Sequence, residues 1–97
     1  MEEQFIRTAR LIGGEAVEKL AKSKVLLFGV GGVGSFAAEA LARAGVGEIT
    51  LVDGDTVAPS NLNRQLVALR STIGRSKAEV MAERIRDINP ACRVTPL

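Results

Sequence analysis

Gly29, Gly31 and Gly34 give the spacing G-x-G-x-x-G directly after the apolar run Lys24–Phe28, and no other stretch restricts the fold as much. Such a run is expected to be a strand buried on both faces of a parallel sheet. Gly29 makes the sharp turn off that strand. Gly31 lets a phosphate approach the backbone, and Gly34 lets the following helix pack close to the sheet. The helix then points its unpaired N–H groups and the positive end of its dipole at a ligand. A second apolar run, Glu48–Val52, ends in Asp53, at the distance past the glycines where an acid meets a ribose hydroxyl. A tight turn without a ligand is the plain alternative. It does not call for the ordered set of strand, glycines, amphipathic helix, strand and acid, and that set favours a nucleotide site.

The rest of the chain fits around this unit. Residues 5–12 read as a short helix or turn closed by Gly13 and Gly14, and residues 15–22 as a second helix with Val17, Leu20 and Ala21 on one face. After the glycines, Val33, Phe36, Ala37, Ala40, Leu41 and Ala44 form one apolar stripe expected to face the sheet, with Gly45 and Gly47 ending the helix. Residues 53–65 are polar where a simple connection would be short. Turn chemistry accounts for Gly54, Pro59 and Asp55, but not for Arg64 and Gln65. Ser76 and Glu79 form an S-x-x-E capping box for a helix whose buried stripe is Ala78, Met81, Ala82, Ile85 and Ile88, stopped by Asn89-Pro90. Lys77 sits in the first turn of that helix, where a cation opposes the dipole. A solvated surface lysine is one reading of it, and a nearby anion is the other. Arg93 to Leu97 begin a third strand. The expectation is an α/β fold: a Rossmann-like half, βαβαβ with a parallel sheet and right-handed crossovers, preceded by N-terminal helices. On length alone, residues 1–97 are one small domain or a piece of a larger one.

Composition closes off several classes. There is no histidine, so imidazole serves neither as general base nor as ligand, and with Cys92 as the one cysteine no metal site is expected within these 97 residues. A single cysteine allows no internal disulfide, which points to a reducing, cytoplasmic setting. Cys92 is read as a small packing residue. The acidic start, Met1-Glu2-Glu3, lacks the positive charge of a signal peptide, and no apolar run is long enough to span a membrane. A net charge of +2 does not by itself indicate nucleic-acid binding. The three phenylalanines give no base-stacking surface, since Phe28 and Phe36 fall in apolar patterns.

Two nucleotides remain open on physical grounds. A dinucleotide needs little side-chain charge, because loop amides and the helix end hold its pyrophosphate. A triphosphate that reacts at its α-phosphate needs cations on the departing pyrophosphate. Arg64 and Lys77 are surplus to the first task and suited to the second, which favours ATP over an NAD-binding dehydrogenase domain.

Taken together, Gly29-Val-Gly-Gly-Val-Gly34, Asp53-Gly-Asp55, Ser60-Asn-Leu-Asn-Arg-Gln65 and Gly74-Arg-Ser-Lys77 resemble the adenylating ThiF/MoeB/ubiquitin-activating superfamily. Its hallmarks G-x-G-G-x-G, D-x-D, N-x-x-R-Q and a lysine are present in order over nearly the whole chain. Residues 7–13, 38–43 and 78–94 look most like its TcdA (CsdL) branch, the tRNA threonylcarbamoyladenosine dehydratases. The resemblance implies ATP-dependent adenylation of a carboxylate with release of pyrophosphate. In that branch the carboxylate belongs to a threonylcarbamoyl group on a tRNA adenosine and the activated group cyclises. The ThiF/MoeB alternative is adenylation of the C-terminus of a ubiquitin-like sulfur-carrier protein, with a sulfur-transfer partner. By position, Gly32 lies against the nucleotide, Asp53 holds the ribose, and Asn61, Arg64 and Lys77 contact the phosphates with Gln65 in support. Asp55 either orients Arg64 or closes the turn. Arg10 resembles the arginine that reaches the ATP of a partner subunit, which implies a homodimer. Family members are much longer, so the resemblance implies that residues 1–97 are the N-terminal part of a Rossmann-like ATP-binding domain. Magnesium is implied as well, with its aspartate ligand past Leu97 along with the region that holds the acyl substrate, and the 97 residues alone are expected to be inactive.

Overall fold

The computed structural model describes residues 2–97. A 3-10 turn at Glu3–Phe5 leads into α1 (Ile6–Ile12), α2 (Gly14–Ala21), β1 (Lys24–Phe28), α3 (Gly32–Ala44), β2 (Glu48–Val52), α4 (Lys77–Ile88) and β3 (Arg93–Pro96). The three strands are parallel with β2 in the middle. Val25 pairs with Ile49 and Ile49 with Val94, while Leu27 pairs with Leu51 and Leu51 with Pro96. This is the βαβαβ arrangement expected, and it brings the C-terminal ends of β1 and β2 side by side beneath the glycine loop.

The core lies on one face of the sheet. Ile49, Leu51 and Val94, with Val25 and Leu27 beside them, pack on Ala38 and Ala42 of α3 and on Met81, Ala82 and Ile85 of α4. The stripe read for α4 is the one that packs. Ser76 caps α4 by accepting the Glu79 N–H at 3.3 Å, while Glu79 is exposed. Asn89, fully buried, donates from Nδ2 to the Ala42 carbonyl at 3.3 Å and so joins the C-terminal ends of the two helices. On their outer side Glu39 meets Arg84 and Arg43. The Arg84 hydrogen bond is the main cause that holds the Glu39 carboxyl below its ordinary range, against the opposing effect of burial. Cys92 is buried and its thiol is pushed up by desolvation, as befits a packing residue.

Two expectations are corrected. β1 is not buried on both faces: Leu26 and Phe28 are 57% and 74% exposed. Both crossover helices pack on the Val25–Leu27 side, and among the described residues no helix covers the other. The apolar stripe of α3 is also out of phase. Ser35, Ala38 and Ala42 face the sheet, whereas Val33 and Phe36 are 87% and 55% exposed. One residue along a helix turns the face by about 100°, and here the smallest residues take the inward face because they allow the closest approach. Phe28 and Phe36 therefore stand at the surface and not in the core.

Smaller differences sit at the helix ends. Gly45 ends α3 in the left-handed conformation, at φ 99°. Gly47 serves another purpose: a Cβ there would stand 1.8 Å from the Ala21 carbonyl oxygen, so it permits a backbone contact. On α2, Val17 is buried but Ala21 is exposed. Among the described residues no helix is long and apolar enough to cross a membrane.

Candidate functional site

The glycine loop is built from backbone. Gly29 leaves β1 with φ 90°, which a side chain disfavours. Gly34 sits against that turn, where a Cβ would lie 2.0 Å from the Gly29 carbonyl oxygen. The close packing read for Gly34 is thus an approach to the loop's own first residue. Helix α3 starts at Gly32 with no side-chain cap, so its first N–H groups are free to meet an anion.

Asp53 ties the loop to the end of β2. Its Oδ2 accepts the Val30 N–H at 2.8 Å and its Oδ1 accepts the Asp55 N–H at 2.8 Å. Each oxygen keeps a second lone pair for a hydroxyl. From Asp55 the connection continues, because its carbonyl accepts the Lys77 N–H at 3.1 Å. Gly29–Val30, Asp53, Asp55 and the start of α4 are therefore one hydrogen-bonded unit. Asp55 closes the turn, and among the described residues no ion pair joins it to Arg64. Arg64 is held instead by the Ser60 carbonyl at 3.2 Å and the Asn63 Oδ1 at 2.8 Å.

The segment after Pro59 covers the glycines. The Arg64 stem lies 3.8 Å from where a Gly32 Cβ would stand, and Gln65 Nε2 lies 3.4 Å from the same point at Gly31. Asn61 is buried, and its Oδ1 accepts the Ala58 N–H at 2.8 Å. That leaves Nδ2, a donor, as the group suited to a phosphate oxygen.

Two features mark the place as chemically unfinished. Gln65 Oε1 is buried without a hydrogen-bond partner. Lys77 is only 7% exposed and takes part in none of the ion pairs among the described residues. A buried cation without a counter-charge is costly. The surface-lysine reading of Lys77 is thereby removed. The residues present fit a phosphate chain: uncapped amides, the Asn61 donor, the Arg64 guanidinium and the Lys77 ammonium.

The structure brings Gly29, Gly31, Gly32, Gly34, Asp53, Asp55, Asn61, Arg64, Gln65 and Lys77 into one region. Arg10 is not brought there; it is exposed on α1, which packs on α2 and on the turn before it. A cavity of about 350 Å³ lined by Phe5, Val17, Ala21 and Asn89 lies at the end where β1 and β2 begin, and its wall includes none of the expected site residues. Sequence reasoning missed Asn63 and Ser35. The buried Ser35 had a signal, a hydroxyl four residues after Gly31 in the first turn of a helix. Asn63 had none apart from adjacency to Arg64.

Comparison with known proteins identifies the family and the fold. The model of the ThiF family matches residues 4–97. A tRNA threonylcarbamoyladenosine dehydratase of Bacillus subtilis is 58% identical over 97 residues, which is 100% of this chain and 38% of the relative. The crystal structure of the E. coli tRNA N6-threonylcarbamoyladenosine dehydratase, TcdA, in complex with ATP superposes with a TM-score of 0.94 at 58% identity, covering 96% of this chain and 38% of that one. The E. coli molybdopterin-synthase adenylyltransferase is 45% identical over 80 residues, 82% of this chain and 32% of the relative. The chain thus spans well under half the length of these relatives.

Proposed function

Because the chain belongs to the ThiF family, we propose that it is the nucleotide-binding part of an enzyme that adenylates a carboxylate with ATP, and that the carboxylate is the threonylcarbamoyl group of a modified tRNA adenosine. The observation that supports this most is Lys77, a buried cation without a partner, tied through Asp55 and Asp53 to the glycine loop. A dinucleotide site has no use for it, and a triphosphate does. The dehydratase reading draws on the 58% identity to relatives of that name.

In this reading the glycine-loop amides and the start of α3 hold the phosphates, and Asp53 accepts hydrogen bonds from the ribose hydroxyls. The substrate carboxylate attacks the α-phosphorus. A carboxylate is already ionised at neutral pH, so no base is needed and the lack of histidine costs nothing. The carboxylate oxygen–phosphorus bond forms as the bond to pyrophosphate breaks. Arg64 and Lys77 neutralise the charge that accumulates on the leaving group, with Asn61 donating to the same oxygens. The acyl group then cyclises and AMP departs. Magnesium belongs to this reading, with its protein ligand outside these 97 residues. A homodimer in which Arg10 reaches the partner's nucleotide belongs to it too.

Three expected results test this. In calorimetric titration the chain binds ATP and not NAD; NAD binding without ATP binding removes the reading. Asp53→Ala should weaken ATP by about one to two decades, the worth of a charge-assisted hydrogen bond of roughly 1.5–3 kcal/mol. An unchanged dissociation constant in a folded variant takes Asp53 out of the site. Incubated with ATP, magnesium and threonylcarbamoyl-modified tRNA, the 97 residues alone should release no AMP or pyrophosphate. Turnover close to that of a full-length relative would show that these residues hold the whole catalytic apparatus. Pyrophosphate exchange in a full-length relative carrying this segment, driven by a ubiquitin-like carrier and not by tRNA, would move the assignment to the sulfur-carrier branch.

A further inference from the structure

We propose that Ser35 is a positioning residue, whose hydroxyl seats Arg64 and Gln65 over the glycine loop. The inference rests on the ATP reading above. Ser35 is fully buried in the first turn of α3. Its Oγ donates to the Gly31 carbonyl and accepts the Leu66 N–H at 3.3 Å. One hydroxyl can do both, since it has one proton and two lone pairs. The bond to a carbonyl four residues back is a common habit of helical serines and needs no function. The bond to Leu66 is different. It crosses 31 residues of sequence and fastens the peptide that directly follows Arg64 and Gln65.

Other hydrogen bonds of this segment do not reach α3: the Arg64 and Gln65 N–H groups go to the Asn61 carbonyl, the Ala68 N–H to the Gln65 carbonyl, and the Val67 carbonyl accepts from the Thr72 hydroxyl. Among the described residues, the Ser35 bond is the one that joins residues 58–68 to α3 and the glycine loop. Those two residues are also the ones laid over Gly32 and Gly31. The guanidinium that meets the phosphates and the amides that meet them are therefore held in register through one hydroxyl. Without it, the Leu66 N–H loses its acceptor and Arg64 is free to swing with its loop. Adenine and ribose contacts do not depend on that register.

The test is calorimetry of the 97-residue chain with ATP and with AMP, on the parent, Ser35→Ala, Arg64→Ala and the Ser35→Ala/Arg64→Ala double variant. Ser35→Ala should weaken ATP about tenfold, weaken AMP by no more than about a third of that factor, and add nothing once Arg64 is already alanine. Amide hydrogen exchange at Leu66 should quicken in Ser35→Ala and stay at the parental rate in Arg64→Ala. If Ser35→Ala does not fold, Ser35→Cys takes its place, since it keeps the bulk and gives up a strong acceptor. Equal losses for ATP and AMP, full additivity with Arg64→Ala, or no effect on ATP would each overturn the positioning role while leaving the ATP reading intact. Failure of the parent to bind ATP would remove both.

Discussion

Gly34→Ala should abolish nucleotide binding by the chain, lowering ATP affinity about a hundredfold or more. The new Cβ would stand 2.0 Å from the Gly29 carbonyl oxygen and 2.9 Å from its carbon. Both atoms are backbone, so no side chain can swing aside. Relief requires α3 to back away from the turn after β1, and that movement carries off the amides that face the phosphates. Overpacking of this kind costs about 1–3 kcal/mol of stability, roughly 4–8 °C in Tm per kcal/mol for a domain of this size. Losing two amide hydrogen bonds to a charged phosphate, at about 1.5–3 kcal/mol each, is enough for a factor of about a hundred or more. Gly54→Ala is the matched control, because nothing stands within 4 Å of a Cβ there. Calorimetry with ATP and a thermal melt decide the matter. ATP binding by Gly34→Ala at the parental affinity would mean that the amides at the start of α3 do not hold the ligand.

The same glycines show why some of this fold was legible in the sequence. Spacing alone marks Gly29 and Gly34, since a positive-φ turn and a close backbone contact each demand the absence of a side chain. Hydrophobic period gave the bounds of β2 and the packed stripe of α4, where large residues leave no choice of face. It failed on α3. There the apolar face with Val33 and Phe36 competes with a face of Ser35, Ala38 and Ala42, and hydrophobicity ranks them in the wrong order. Closeness of approach decided, and closeness is a property of the pair of surfaces and not of either sequence. It failed on β1 for a related reason: an apolar run reports what a strand tolerates on both sides, while burial depends on which elements cover it. In the site, residue types announced Asp53, Arg64 and Lys77. Their connections were not announced. That Asp53 holds Val30, that Asp55 passes the link to Lys77 by its carbonyl, and that Asn63 steadies Arg64 are all facts of a folded loop.

The largest effects on chemistry are expected at Lys77 and Arg64, measured where the chemistry can run. The assay is ATP–pyrophosphate exchange in the E. coli tRNA threonylcarbamoyladenosine dehydratase carrying this chain in place of its matching segment. Removing one preorganised group that stabilises transition-state charge costs about 10²–10³ in rate. Lys77→Ala and Arg64→Ala should each lower exchange by that order and lower ATP affinity far less, because both cations gain most as pyrophosphate departs. Lys77 makes a further contrast. It is buried, sits at the dipole end that repels cations, and takes part in none of the ion pairs among the described residues. Lys77→Met, which keeps the length and drops the charge, should therefore hold or raise the Tm of the ligand-free protein while it destroys exchange. A structural lysine behaves in the opposite way, losing stability first. If Lys77→Met melts several degrees lower, or if both alanine variants exchange at the parental rate, the charges of Lys77 and Arg64 are not spent on the leaving pyrophosphate.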